Sequence, residues 1–299
     1  MYLLCLDDHH ALTQTMAELL HAQVLPLTQR LFPDGEFYFN IDADVNRQDV
    51  VIVCHLHRPN DKALAIWMLA RHLHDMGASS VGLVAPYLAY MRQDIRFQPG
   101  ECLTSRYFAE LLNQSVDYLV TMDPHLHRYH ALKEIYRIPT STLHASELIG
   151  RHLKHIERPL VVGPDEESEQ WAKVVADEAG CAYLVLSKER HGDRDVLIDM
   201  PDIEHFRQHT PVLVDDIIST GRTLLRTAEH IQRQGLMPPI CIGVHAVFAA
   251  GAEQEMRTGP IADIITCNTI PHASNGIDVS AMLAQGVMEL IETTRGTCA

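Results

Sequence analysis

Short runs rich in Val, Ile and Leu alternate with amphipathic stretches along nearly the whole chain. Within the runs polarity does not alternate, as expected of strands covered on both faces in a parallel sheet. The series begins with YLLCL, a helix near His10–Ala22 and an extended stretch over Val24–Leu31. DVVIVCHL, a helix over Asp61–Met76, SVGLVAPYL, a helix over Thr104–Asn113 and DYLVTMD come next. Past a seam near Pro139–His144 the alternation resumes with a helix over Ala145–His155, PLVVGPD, a helix over Glu167–Ala179, CAYLVLS and DVLIDM. TPVLVDD, a helix over Arg222–Gln234, PICIGVHAVF and IADIITC complete it. With 299 residues, the pattern predicts two α/β domains in tandem, 1–143 and 144–278.

Open parallel sheets bind ligands beyond the carboxyl ends of their strands. Four predicted strands end in polar clusters there: SVGLVAPY before MRQD, YLVTMDPH, LVVGPD and VLVDD. In VLVDDIISTGRTL, the strand delivers Asp215 and Asp216, and Gly221 permits a tight loop into the next helix. Amides from Ser219 to Thr223, with the hydroxyls of Ser219, Thr220 and Thr223, suit a phosphate at the helix N-terminus. Two carboxylates beside a phosphate repel it unless they bind something else, and ribose hydroxyls or a divalent cation are the candidates. An N-capped helix after an acidic strand end is the plain alternative.

Composition narrows the partners. A formal net charge of −15, with no dense basic stretch, argues against nucleic acid. No apolar run approaches the roughly 20 residues that span a bilayer. MYLLCLDDHH lacks the basic start and cleavage site of a secretory signal, so a cytoplasmic protein is expected. The seven cysteines form no C-x-x-C pair and read as buried thiols of a reducing compartment. Most of the 19 histidines, His72 and His74 among them, read as surface or capping residues.

The Asp215–Thr223 segment resembles the phosphoribosyl-pyrophosphate (PRPP) loop shared by type I phosphoribosyltransferases and PRPP synthetases. Other motifs resemble the ribose-phosphate pyrophosphokinase family, in that family's order. FPDGEFYFNI (Phe32–Ile41) is similar to its F-x-D/N-G/Q-E segment, YMRQDIRFQPGE to its R-Q-D stretch, and TMDPH to its D-x-H. VVGPDEES is similar to its S-P-D segment and SKERHGDR to its flexible K-x-R catalytic loop.

The resemblance implies two type I phosphoribosyltransferase-like domains, each with a mostly parallel sheet, and a terminal helix near Val279–Glu292 packing on the first. It implies diphosphate transfer from Mg-ATP to the anomeric hydroxyl of ribose 5-phosphate, giving PRPP and AMP. Phe32, Asp34, Gly35 and Glu36, donated by a neighbouring subunit, would recognise ATP with Arg92 and Gln93. His125 and Asp165 would sit at Mg2+, with Lys188 and Arg190 as the transition-state clamp. Ribose 5-phosphate would be held by Arg190, Asp215, Asp216, Ser219, Thr220, Gly221, Arg222 and Thr223. A homo-oligomer, dimer or hexamer, is expected. A PRPP-consuming transferase and a non-catalytic synthetase subunit are the alternatives, and the former leaves FPDGE and RQD idle.

Two local readings stand beside these. Asp123 and His125, two apart at a strand end, point the same way if the segment is extended. Arg92 can instead make a surface ion pair with Asp94. A zinc cluster built with His127 and His130 lacks the spacing and the cysteines of a structural site. The chain departs from the family pattern at Ser219, at Arg222 in place of a glycine, and at Glu166-Glu167-Ser168, where extra carboxylates follow Asp165.

Overall fold

The computed structural model describes residues 1–163, 169–186, 188–191, 194–197 and 203–296. They form two compact units. The first contains β1 (Tyr2–Cys5), α1 (His10–Leu19), β2 (Gln23–Val24), β3 (Leu27–Leu31), β4 (Phe37–Ile41), β5 (Asp49–Val53) and α2 (Pro59–Asp75). It continues with β6 (Ser80–Ala85), α3 (Thr104–Asn113), β7 (Tyr118–Met122) and β8 (Thr140–Leu143). Its sheet runs β2-β1-β5-β6-β7-β8, every pair parallel, while β3 and β4 form a separate antiparallel hairpin.

Every residue of β5, β6 and β7 is buried, which explains why these strands read as unbroken apolar runs. From α2, Ala63, Ile66, Leu69, Ala70 and Leu73 bury one stripe at three- and four-residue spacing. Gly82 on β6 faces Tyr118 on β7, and a Cβ there would fall 2.1 Å from the phenol ring. β8 lies where the sequence shows only a seam. Its TSTL is polar and half-buried at the sheet edge, so it carries no apolar signal.

The second unit contains α4 (Ser146–Leu153), β9 (Pro159–Gly163), α5 (Glu169–Ala179), β10 (Ala182–Val185), β11 (Lys188–His191), β12 (Arg194–Leu197) and β13 (Thr210–Ile218). After these come α6 (Arg222–Arg233), β14 (Ile240–Ala246), α7 (Ala252–Thr258), β15 (Asp263–Cys267) and β16 (Asn275–Ile277). The sheet order is β10-β9-β13-β14-β15-β16, again parallel throughout, with β11 and β12 as a separate antiparallel hairpin. Strand for strand this repeats the first unit, including a hairpin inserted after the edge strand. The last helix, α8 (Ser280–Gly296), returns to the first unit and packs on α1, β7 and β8. Gly286 lets it lie close, since a Cβ there would sit 3.0 Å from Val120.

Candidate active site

In the second unit β13 does not stop at the paired acids but continues to Ile218, still in register with β14. Asp215 and Asp216 are therefore neighbours within a strand, projecting to opposite faces, and both are half-buried. Burial, with Asp215 close by, pushes the Cys241 thiol up to about 12. Beyond Ile218 the chain turns sharply through Gly221, the N-cap of α6, at φ +65°. Only glycine enters this region freely, and a Cβ here would also strike Met256 Sδ at 2.3 Å.

The loop is fixed by its carbonyls. Ile218 O accepts from the amides of Val247 (3.1 Å) and Phe248 (3.0 Å), and Ser219 O accepts from Ala249 (3.0 Å). The amides of Thr220, Gly221, Arg222, Thr223 and Leu224 donate to no described residue. Thr220, Arg222 and Thr223 are exposed and Ser219 is half-buried. Uncommitted amides at the start of a helix whose Leu224, Leu225, Ala228 and Ile231 are buried in the core can accept an anion.

In the first unit the RQD segment meets the stretch that follows TMDPH. Arg128 Nη1 donates to Asp94 Oδ1 at 2.7 Å, and Tyr129 OH donates to Asp94 O at 3.4 Å. The Asp94 side chain is only 3% exposed, so this carboxylate belongs to a structural clamp. That excludes the expected Arg92–Asp94 pair. Arg92 is exposed and enters no ion pair among the described residues, and Gln93 Oε1 accepts from Thr104 Oγ1 at 3.4 Å.

Left-handed backbone precedes both segments, at Tyr90 (φ +62°) and Asp123 (φ +32°). Such strain is held only where packing enforces it, and it gathers at functional sites. The turn at Asp123 also overturns the expectation that Asp123 and His125 extend together, because β7 ends at Met122. His125 is half-buried, with its ring edge-on to His127 at 4.2 Å.

The FPDGE segment is the tip of the β3–β4 hairpin. The Phe32 amide donates to Glu36 O (2.8 Å), Gly35 takes φ +91°, and Asp34 Oδ1 accepts from the Glu36 amide at 3.2 Å. Phe32, Asp34, Gly35 and Glu36 are all exposed, and the Arg30 guanidinium lies 4.6 Å over the Phe32 ring and 4.1 Å over that of Tyr38. Lys188 and Arg190 lie on β11, opposite Leu197 and Asp195 of β12, where the sequence suggests an irregular loop. Their side chains, together with Asp165 and Glu166-Glu167-Ser168, lie outside the described residues.

One cluster escaped the sequence reading. Asp7 and Asp8, directly after β1, meet His55, just after β5, and Lys62 of α2 reaches Asp7 Oδ2 at 3.2 Å. It is the only His/Cys/Asp/Glu group of metal-holding geometry among the described residues. The signal was present in LDDHH, a strand followed at once by acids.

Residues 1–115 match the N-terminal domain of ribose phosphate pyrophosphokinase, and residues 131–281 match the phosphoribosyl transferase domain. The ribose-phosphate pyrophosphokinase of Methanopyrus kandleri is 31% identical over 294 residues, covering 97% of this chain and 99% of that protein. The chain belongs to the ribose-phosphate pyrophosphokinase family. The pyrophosphokinase of Thermoplasma acidophilum is 30% identical over 256 residues, 86% of this chain and 88% of its own. The crystal structure of phosphoribosylpyrophosphate synthetase from Mycobacterium smegmatis shares the fold, with a TM-score of 0.82 over 98% of this chain and 99% of that one, at 24% identity. As in that family, two parallel-sheet domains stand in tandem, and no described helix is long and apolar enough to cross a membrane.

Proposed function

We propose that this pyrophosphokinase transfers the β,γ-diphosphate of ATP to the anomeric hydroxyl of ribose 5-phosphate, releasing AMP and leaving PRPP. The observation that carries the reading is the loop after β13, where a left-handed glycine opens a helix with uncommitted amides next to a strand bearing two acids. The amides and the Ser219, Thr220 and Thr223 hydroxyls take the 5-phosphate, with Arg222 adding charge at the rim. One of the two acids accepts from the ribose hydroxyls, since Asp215 and Asp216 project to opposite faces of β13. Paired acids beside an anion cradle suit a ligand that carries hydroxyls and a phosphate at once.

Arg92 and Gln93 hold ATP. Phe32, Asp34, Gly35 and Glu36 complete its base pocket on a second copy of the chain, and their exposure at a hairpin tip supports this role. Lys188 and Arg190, alternate positions of one strand, neutralise the transferring phosphates. Diphosphoryl transfer asks mainly for positioning and charge compensation.

Mg2+ suits this donor set. Asp165 would offer it a hard carboxylate oxygen, and the half-buried His125 imidazole would serve best through a metal-bound water. When bound, the ion would supply positive charge to offset that of the phosphates. The six described cysteines are all free, in keeping with a cytoplasmic setting. Incubating the chain with ATP, Mg2+ and ribose 5-phosphate should release AMP and PRPP in equal amounts. No AMP, with a nucleobase consuming added PRPP instead, would replace this reading by a phosphoribosyltransferase.

A further inference from the structure

The carboxyl ends of β1 and β5 carry a polar cluster that the proposed reaction leaves unused. Ligand atoms of Asp7, Asp8 and His55 all lie within 4.8 Å of one another. His55 Nε2 is 2.9 Å from Asp8 Oδ1 and 3.3 Å from Asp7 Oδ2. Metal–ligand bonds of about 2.0–2.2 Å give tetrahedral or octahedral edges of about 2.8–3.6 Å, a range that holds both separations, the shorter of which is a His55–Asp8 hydrogen bond while no ion is bound. The Asp7 and His55 side chains are each 6% exposed, whereas Asp8 is 76% exposed, so two fixed donors meet a third open to water. Asp7 is held in place by its other oxygen, Oδ1, which accepts from the His9 amide at 3.0 Å.

A cation already rests on this cluster. Lys62 Nζ lies 3.2 Å from Asp7 Oδ2 and 2.8 Å from His55 O. It is also 3.1 Å and 3.4 Å from the two ring nitrogens. A donor in line with one lone pair would be much farther from the other nitrogen, so the ammonium rests against the ring. It balances charge and leaves Nε2 directed at the carboxylates.

We propose that Asp7, Asp8 and His55 form a second divalent-cation site, separate from the magnesium of the reaction, for a transition ion of the zinc and cobalt type. Lys62 is the resident cation that the ion displaces. An imidazole among the donors favours such ions over Mg2+, and waters on the Asp8 side complete the coordination.

The test is a Co2+ titration of the full chain in excess Mg2+ without nucleotide, followed by visible absorbance and calorimetry. One Co2+ per chain is expected, displaced by Zn2+. Affinity should fall about 100-fold in His55→Ala and about tenfold in Asp8→Asn, in line with loss of a ligand or of its support. Lys62→Met should tighten binding about tenfold by removing a competing charge. Asp8 is exposed, so Asp8→Asn keeps the test sharp if His55→Ala does not fold. Equal titration of Asp8→Asn and wild type, no Co2+ uptake in excess Mg2+, or no gain in Lys62→Met would overturn the proposal. A plain ion-pair network gives no uptake, with Lys62→Met only lowering Tm.

Discussion

The two units repeat one strand order, yet the loop that enters the matching helix is built differently in each. In unit 2 the loop from β13 enters α6 through Gly221 at φ +65°; in unit 1 the loop from β5 enters α2 through Arg58 at φ +53°. Both helices thus start from a left-handed residue. Unit 2 leaves the following amides uncommitted, whereas unit 1 places Pro59 at the first helical position and loses one donor outright. The acids differ in the same sense. Asp7 and Asp8 after β1 are tied to His55 and Lys62, while Asp165 follows β9 in the sequence at the matching place. The inserted hairpins match too, one carrying Phe32–Glu36 and the other Lys188 and Arg190. The repeated strand order supplies a similar strand-loop-helix turn twice, and proline with an internal cation changes the copy in unit 1.

The largest effect that would break this contrast is on turnover. Lys188→Ala should lower kcat about 10²–10³-fold, the range for loss of one transition-state charge contact, with Tm unchanged. Lys62→Ala, at the acid cluster of unit 1, should leave AMP release within about twofold in saturating Mg2+ while lowering Tm. Equal losses would erase the distinction.

Arg128→Ala leaves the Asp94 carboxylate buried without its cation and should cost about 1–3 kcal/mol in urea unfolding, the range being held down by the half-exposed arginine. It should also raise the KM for ATP, because Arg92 and His125 lie on the two segments that this pair joins.

Two glycines compare directly. Gly221→Ala combines left-handed strain with the Met256 clash and should cost about 1–3 kcal/mol, with a raised KM for ribose 5-phosphate. A Cβ on Gly35 meets nothing within 4 Å, so Gly35→Ala bears the strain alone, about 1–2 kcal/mol, confined to an exposed turn.

The fold was legible because parallel strands buried on both faces write themselves as unbroken apolar runs. β7 and α3 appear in the sequence almost at their final bounds. β8 and β16 did not appear, since TSTL and NGI are edge strands with little apolar content. Local chemistry was legible at Gly221, where a turn residue and hydroxyls adjoin. Pairings across the sequence were not. The Asp94–Arg128 pair spans 34 residues, and Asp8–His55 spans 47, so only the fold brings these partners together.

Acid should separate the units more gently. Burial lowers His57 in unit 1 and His152 and His230 in unit 2 below their ordinary value of 6.5. The folded state resists their protonation, so stability is full above about 6.5 and declines as the pH falls below it, when the unfolded chain takes up protons. Asp8 is held below its ordinary value by the His55 hydrogen bond, and its contribution persists until still lower pH. Thermal melts between about pH 7.5 and 5.5 should therefore show declining Tm, and His230→Leu should flatten that slope. The smallest effect is chemical. Burial raises the Cys54 and Cys241 thiols, so among the described cysteines an aromatic disulfide reagent should label exposed Cys102 first.

The pinning of Ile218 and Ser219 by the amides of Val247, Phe248 and Ala249 has a consequence for selectivity. A cradle whose shape is set before the ligand arrives loses little disorder on capture, so modest contacts suffice for useful affinity. The same stiffness prevents the loop from widening. On the proposed reading, such a loop should favour a phosphomonoester, which enters end-on, over a phosphodiester, which puts a second substituent where an amide expects oxygen.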